Sequence, residues 1–322
     1  MPRVPDGWVD AVAYLYPTEE AAKAGQGTGG SGVLVGVRFR EYDYLFHVYV
    51  VTNAHVAATC RVVRVNSRLG PAVWDLTDRR WFPHQDGDDL VVAMMGFNAY
   101  FDDRVAFHSS DMGLVTREFG EEVDLGYGDE LFMTSRFLGH EGRQENEPII
   151  RFGTLAKSRP VLVANQHTGI DQESYLVEMR WLPGHSGSPA YVYFSGRQVR
   201  LGVERKVKAQ IRLLGIDWGH MNHRARVLGP DGRPLDDGSY VEQNAGIACV
   251  VPAWKILEVL EQEEVAALRD KVERKAEDVI HPDIGAAPSL DIGDGSSTLG
   301  LAGDLMSKLI QVPKGEADEV HR

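Results

Sequence analysis

The chain predicts an all-β protein, a barrel or sandwich closed by a C-terminal helix, on three observations. Short runs of β-branched and aromatic residues recur as far as Val251. Gly- and Pro-containing turns separate them, the pattern of packed antiparallel strands. At Pro252 the character changes to a stretch rich in Glu, Lys, Arg, Ala and Leu.

Val9, Ala11, Ala13 and Leu15 alternate with other residues, as in a half-buried strand. A small-residue loop with five glycines follows over 24–32. The runs 33–37, 45–52, 61–65, 90–94, 130–134, 175–179, 190–194, 199–203, 211–216 and 247–251 predict further strands. A helix is predicted over 253–280, with Pro252 suited to its first turn. Val265, Leu268, Val272, Ala276 and Val279 form one apolar stripe that packs on the chain's own barrel, and Asp270 and Arg274 form an i,i+4 pair. Residues 281–298 read as linker. Leu301, Leu305, Met306, Leu309 and Ile310 then have helical spacing, for docking back or for holding a partner. The division expected is 1–280 as the folded unit and 281–322 as linker and amphipathic tail.

Length and composition narrow the class. At about 150 residues per domain, 322 residues suggest two domains, though β-barrels exceed that size as one. Lys and Arg number 34 against 47 Asp and Glu, a net charge of −13, which disfavours coating nucleic acid or anionic membrane. Hydrophobic residues at 43% can form a sizeable core. Cys60 and Cys249 are the only cysteines, so no disulfide framework exists and a reducing compartment is favoured. No run of about 18 apolar residues occurs. Residues 1–16 lack an apolar core and cleavage site, so the expectation is a soluble cytoplasmic protein.

Three segments carry chemistry. Val50-Val51-Thr52-Asn53-Ala54-His55-Val56 is a strand ending in a small-residue turn that presents a His. Asp88-Asp89-Leu90-Val91-Val92 puts a carboxylate at the mouth of an apolar strand. Pro183-Gly184-His185-Ser186-Gly187-Ser188-Pro189 sets a Ser between glycines before another strand. Each alone is a common structural pattern: a satisfied His, a turn Asp, a Gly-rich turn. Their joint occurrence in the order His, Asp, Ser inside an all-β chain is far more specific.

These residues resemble a trypsin-like serine peptidase of the chymotrypsin fold, in the style of bacterial stand-alone and Deg-type protease domains. "GTGGSGVLV" resembles the family's opening strand, "VVTNAHV" its His motif, "DLVVA" its Asp motif and "GHSGSP" its nucleophile motif. "LLGIDWG" resembles the strand lining the substrate cleft, and "GIACVVP" the last strand before the C-terminal helix. The motifs run in family order from about Gly27 to Val259. The resemblance implies a chymotrypsin-like double six-stranded β-barrel with the site between barrels, and a serine endopeptidase acting on peptide or protein, with no metal or organic cofactor. A PDZ-like module after the helix is not expected.

The chemistry implied is acyl transfer. A Ser hydroxyl needs an adjacent base, and His titrates near the right pH. Ser186 is the nucleophile, His55 the general base and then acid, and Asp89 the acceptor of the other imidazole N–H. Asp86, Asp88 and Asp111 compete for that role; Asp89 directly precedes the strongly β-branched strand, whereas Asp88 is one residue off register. By resemblance, the backbone N–H groups of Gly184 and Ser186 form the oxyanion hole. Asp217, Trp218 and Gly219 form a wall of the primary pocket and an edge for β-augmentation. Arg180, six residues before Ser186, takes the pocket-floor position and would favour an acidic substrate residue, unless it faces solvent or pairs with Glu178. His185 reads as an exposed turn residue, and activation by cleavage of an N-terminal propeptide is not expected.

Other patterns point away from ligands. His220 and His223 lack a third metal ligand and read as a loop at the pocket rim. Asp291-Ile292-Gly293-Asp294-Gly295 lacks the closing Glu of a calcium loop. Trp74, Trp81, Trp181 and Trp254 read as packing, and both cysteines as small buried hydrophobes. The alternative function is a catalytically silent or partner-activated binding module, with the tail as docking piece.

Overall fold

The computed structural model describes residues 3–280, except 28, 98–103, 141, 181–183, 195–197, 201–202, 206–209, 230–231, 234 and 236–237. The tail expected over 281–322 lies outside the described residues, as does Trp181.

The first half builds one curved sheet. Its elements in order are α1 (Asp6–Asp10), β1 (Val12–Tyr16), α2 (Glu19–Ala24), β2 (Gly30–Arg38), β3 (Phe46–Thr52), α3 (Ala54–Ala57), β4 (Val62–Ser67), β5 (Gly70–Asp75), β6 (Trp81–Pro83), β7 (Val91–Phe97) and β8 (His108–Ser109). The strand order is β5-β4-β1-β2-β3-β7-β6, with β8 beside β2. The alternation read from Val9 gives way to a helix first, and β1 is buried along its whole length. Both of its faces are covered: Tyr14 and Tyr16 pack with Ala22 of α2, Ala13 and Leu15 with Leu34 and Val50.

The second half closes on itself. It comprises α4 (Arg117–Glu122), β9 (Glu130–Ser135), β10 (Ile149–Leu155), β11 (Val161–Ala164), β12 (Asp171–Glu178), β13 (Pro189–Phe194), β14 (Gln198–Arg200), β15 (Val203–Arg205), β16 (Gln210–Arg226) and β17 (Tyr240–Pro252). The order is β10-β9-β13-β16-β17-β12-β11, and a β10–β12 pairing joins six strands into a closed barrel with β11 outside it. The fold is the chymotrypsin-like arrangement of a closed barrel beside a half-barrel sheet. One core spans both halves, with Val35, Tyr49, Val51 and Val92 meeting Phe132, Tyr191, Leu213 and Val251. Beyond the barrel, β16 and β17 continue as a ribbon. His223 therefore lies on a strand opposite Gln243, where the sequence suggested a loop.

The helical tail is two helices, α5 (Ala253–Leu260) and α6 (Glu263–Ile280), where the composition suggested one. The break at Glu261 lets each half meet a different surface. α5 buries Ile256, Val259 and Leu260. α6 turns onto the first sheet, burying Val265 and Val272. It is held there by Arg40–Asp270 at 2.9 Å and His47–Glu273 at 2.9 Å. Arg274 meets the Asp270 carbonyl instead of its carboxylate, which Arg40 takes.

A buried ion pair and a buried histidine lie within this frame. Lys255 of α5 places Nζ 2.5 Å from the Asp88 carboxylate, with both side chains under 10% exposed. Removing one partner of such a pair strands the other charge. We expect Lys255→Met to lower unfolding free energy by about 3 kcal/mol, read by urea titration. A change near zero would contradict the pair's role in anchoring α5.

His108 stacks on Trp8 and bonds the Tyr191 hydroxyl at 2.8 Å, and burial pushes its pKa down to about 3. The unfolded chain therefore binds a proton that the folded chain refuses, so stability falls as pH drops from 6.5 towards 3. A His108→Asn variant should show a shallower decline of stability with pH, by about 1.4 kcal/mol per pH unit. Identical slopes in urea melts at pH 6 and pH 4.5 would contradict this.

Candidate active site

The three chemical segments converge from both halves of the molecule. β3 delivers Asn53 and the short helix α3, whose first turn carries His55. The β6–β7 turn delivers Asp89, and the β12–β13 turn delivers Ser186. His55 and Ser186 line one cleft of about 880 Å³ between the two halves.

Asp89 is fully buried, and both carboxylate oxygens are engaged by one residue. Oδ1 accepts the backbone N–H of His55 at 3.0 Å, and Oδ2 faces His55 Nδ1 at 2.6 Å. Burial works to raise the Asp89 carboxyl, but its bonds with His55 outweigh this and hold it below the usual carboxylate range. A charged Oδ2 requires the proton on Nδ1, which leaves Nε2 as the acceptor of the neutral ring. The backbone of Asp89 is fixed as well. Its N–H donates to Gln172 Oε1 at 2.8 Å, and its carbonyl accepts from Asn53 Nδ2 at 2.9 Å.

The neighbouring acids point elsewhere. Asp88 turns inward to Lys255 and, at 3.1 Å, to His84, whose Nε2 meets Glu258 at 2.8 Å. Asp111 pairs with Arg38 at the surface, at 3.2 Å.

The Ser186 turn is pinned to both sheets. Ser31 of β2 donates its N–H to the Ser186 carbonyl at 2.8 Å and its hydroxyl to the Gly184 carbonyl at 3.0 Å. From β16, the Asp217 carbonyl accepts the Gly187 N–H, and the Asp217 N–H donates to Ser188, both at 2.8 Å. Gly187 has φ +84°, and a Cβ there would lie 1.9 Å from the Ser31 carbonyl oxygen, so only glycine fits. Gly184 also has positive φ, +96°. Among the described residues, no acceptor meets the N–H of Gly184 or of Ser186.

Three expectations are corrected. His185 is 1% exposed, not an exposed turn residue, and burial together with the Arg151 charge pushes its pKa down to about 4. Arg180 is exposed and outside the cleft lining. Strand alternation carries on past β12, turning Met179 inward and Glu178 and Arg180 outward. Trp218 and Gly219 line the cleft, but Asp217 is fully buried and supports the Ser186 turn from beneath. It also lies near Cys249, whose thiol is pushed up to about 12 by burial and that carboxylate.

Other residues at the site carry no local sequence signal of their role. Asn53 stood inside the His motif, but nothing local showed its bond to Asp89. Gln172 and Ser31 reach the site only through tertiary contact. His167, in the β11–β12 loop, stacks on His55 with ring centroids 3.9 Å apart.

Comparisons with known proteins follow the same lines. A family model described as trypsin-like peptidase domain matches residues 30–199. Among curated proteins, no sequence matches significantly. Solved structures similar to the chain include an HtrA-type protease, AlgW, with a tripeptide. The identity is 17%, the TM-score 0.43, and the match covers 82% of this chain and 65% of that one. Its AlgWS227A form, also with a tripeptide, matches at 17% identity and TM-score 0.42, over 80% of this chain and 60% of that one. An inactive form of Rv3671c from M. tuberculosis H37Rv matches at 12% identity and TM-score 0.41, over 80% of this chain and 87% of that one. The family model spans more than half of the chain and takes in His55, Asp89 and Ser186, and the chain belongs to the trypsin-like peptidase domain family.

Proposed function

We propose that the protein is a serine endopeptidase that hydrolyses peptide bonds through an acyl-enzyme on Ser186. The observation that carries this reading is the buried Asp89 carboxylate clasping His55 by both backbone N–H and Nδ1, on the wall of the cleft that Ser186 shares.

In this reading Nε2 of His55 accepts the Ser186 proton as Oγ attacks the substrate carbonyl. The imidazolium formed is stabilised by Asp89, which stays ionised. The N–H groups of Gly184 and Ser186 donate to the oxyanion. His55 then returns its proton to the departing amine, and the C–N bond breaks. Water, activated by the same imidazole, attacks the ester and releases the acid.

The substrate is an extended polypeptide. β13 pairs with β16 only as far as Ile216, and the Asp217 backbone bonds the Ser186 turn, so among the described residues β16 pairs with no strand on its β13 side from Trp218 onward. Main-chain pairing along Trp218 and Gly219 would lead a peptide into the cleft towards Ser186.

Hydrolysis of a quenched-fluorescent casein tests the residue roles. Asp89→Asn should lower turnover by about 10⁴, because an amide presented to Nδ1 selects the wrong tautomer. His55→Ala and Ser186→Ala should fall by at least as much. A variant of any of the three that retains a tenth of wild-type activity would overturn the assignment. Arg180→Ala, by contrast, should leave both rate and cleavage positions unchanged within about twofold, as for other surface substitutions. A switch of preferred cleavage position in that variant, read by mass spectrometry of the peptides, would return Arg180 to the specificity pocket.

A further inference from the structure

The loop joining β11 to β12 lays His167 flat against His55, with centroids 3.9 Å apart and the rings 12° from parallel. Both rings line the cleft. The contact is built by an ordered turn. Asn165, 2% exposed, accepts the N–H of His167 on its side-chain oxygen at 2.8 Å. It also exchanges backbone bonds with Gly169 and Ile170, at 2.8 and 2.9 Å.

The same turn is tied to the other side of His55. Asn165 Nδ2 donates to Gln172 Oε1 at 2.9 Å, and that oxygen also accepts the Asp89 N–H at 2.8 Å. One amide oxygen therefore fixes both the loop that carries His167 and the backbone of the residue that orients His55. His55 is held at one edge by Asp89 and on one face by His167.

We propose that His167 is a positioning residue for the proton-transfer step: its ring covers one face of His55 and keeps the imidazole on its hydrogen bond to Asp89 while the proton moves. This rests on the acyl-transfer reading of Ser186 and His55. Imidazole rotation about its Cβ–Cγ bond would break the Nδ1 bond, and a stacked ring opposes that swing. Misplacement of a reacting group by about 1 Å costs about 10² in rate. The chemistry of the stack is compatible with a charged His55. Burial and the His55 charge both lower the pKa of His167, opposed by Asp89, which favours its neutral ring. A neutral aromatic face beside a cation is favourable, whereas two charged rings in van der Waals contact are not.

The test compares His167→Ala with His167→Phe, which keeps a flat ring without a titrating group. Kinetics on a quenched-fluorescent peptide and the NMR resonance of the His55 Nδ1–H proton are read together. His167→Ala should lose about tenfold in kcat with KM changed less than twofold, while His167→Phe stays close to wild type. The Nδ1–H resonance should broaden and disappear in the Ala variant and persist in the Phe variant. Wild-type kcat in His167→Ala would overturn the proposal. So would a rise in kcat, which would make the ring an obstruction, or equal loss in the Phe variant, which would tie the effect to imidazole chemistry. The resonance needs no turnover. A wild type that hydrolyses nothing would defeat the acyl-transfer reading, whereas an Nδ1–H signal unaffected by His167→Ala would defeat the positioning role alone.

Discussion

A carboxylate with no exposure to water governs the layout of this molecule. Ionised Asp89 would be costly to bury unless each oxygen found a donor. Both donors come from His55, one from its backbone and one from its ring. That arrangement satisfies the charge and fixes the imidazole tautomer in one step. It also demands that the β6–β7 turn and the start of α3 keep a fixed separation. The surrounding bonds serve that demand. Asn53 and Gln172 hold the Asp89 backbone, and the buried Asp88–Lys255 pair ties the adjacent residue to α5. α5 is thus part of the support for Asp89, although it lies far from it in sequence.

The Ser186 turn shows a second way of joining the halves. Ser31 comes from the first sheet and Asp217 from the second, and both bond the turn through short backbone contacts. Gly187 makes room for this, because a side chain there would collide with the Ser31 carbonyl. The shared core between Val51, Val92 and Tyr191, Leu213 keeps the sheets in register. Separation of the halves would pull the nucleophile turn away from His55, so folding stability and site geometry are coupled.

Much of this was legible in the sequence, for identifiable reasons. Alternating strands with Gly turns, and motifs confined to single strand–turn units, are local, and local patterns survive in a linear reading. The choice of Asp89 over Asp88 followed from strand register, and the structure turns Asp88 inward to Lys255. Beyond β12 Met179 is buried and Arg180 exposed, so spacing from Ser186 alone does not bring Arg180 into the cleft. Asp217 was set in the pocket wall, but a bulge between Asp217 and Gly219 separates its environment from that of Trp218. His185 looked exposed because glycines flank it, yet the turn folds it inward. His167, Gln172 and Lys255 left no local trace, since each reaches the site across the sheet or from the C-terminal helix. The break between α5 and α6 leaves no trace in the composition, which stays helix-favouring throughout; the two target surfaces explain it.

The account stands most directly on whether Ser186 is an activated nucleophile in the folded chain. Intact-protein mass spectrometry after incubation with a fluorophosphonate, followed by peptide mapping, measures this without knowledge of the substrate. The account predicts one adduct, on Ser186, absent from Ser186→Ala and strongly slowed in Asp89→Asn. A wild-type protein that stays unmodified, or that is modified elsewhere and equally in Ser186→Ala, would contradict it.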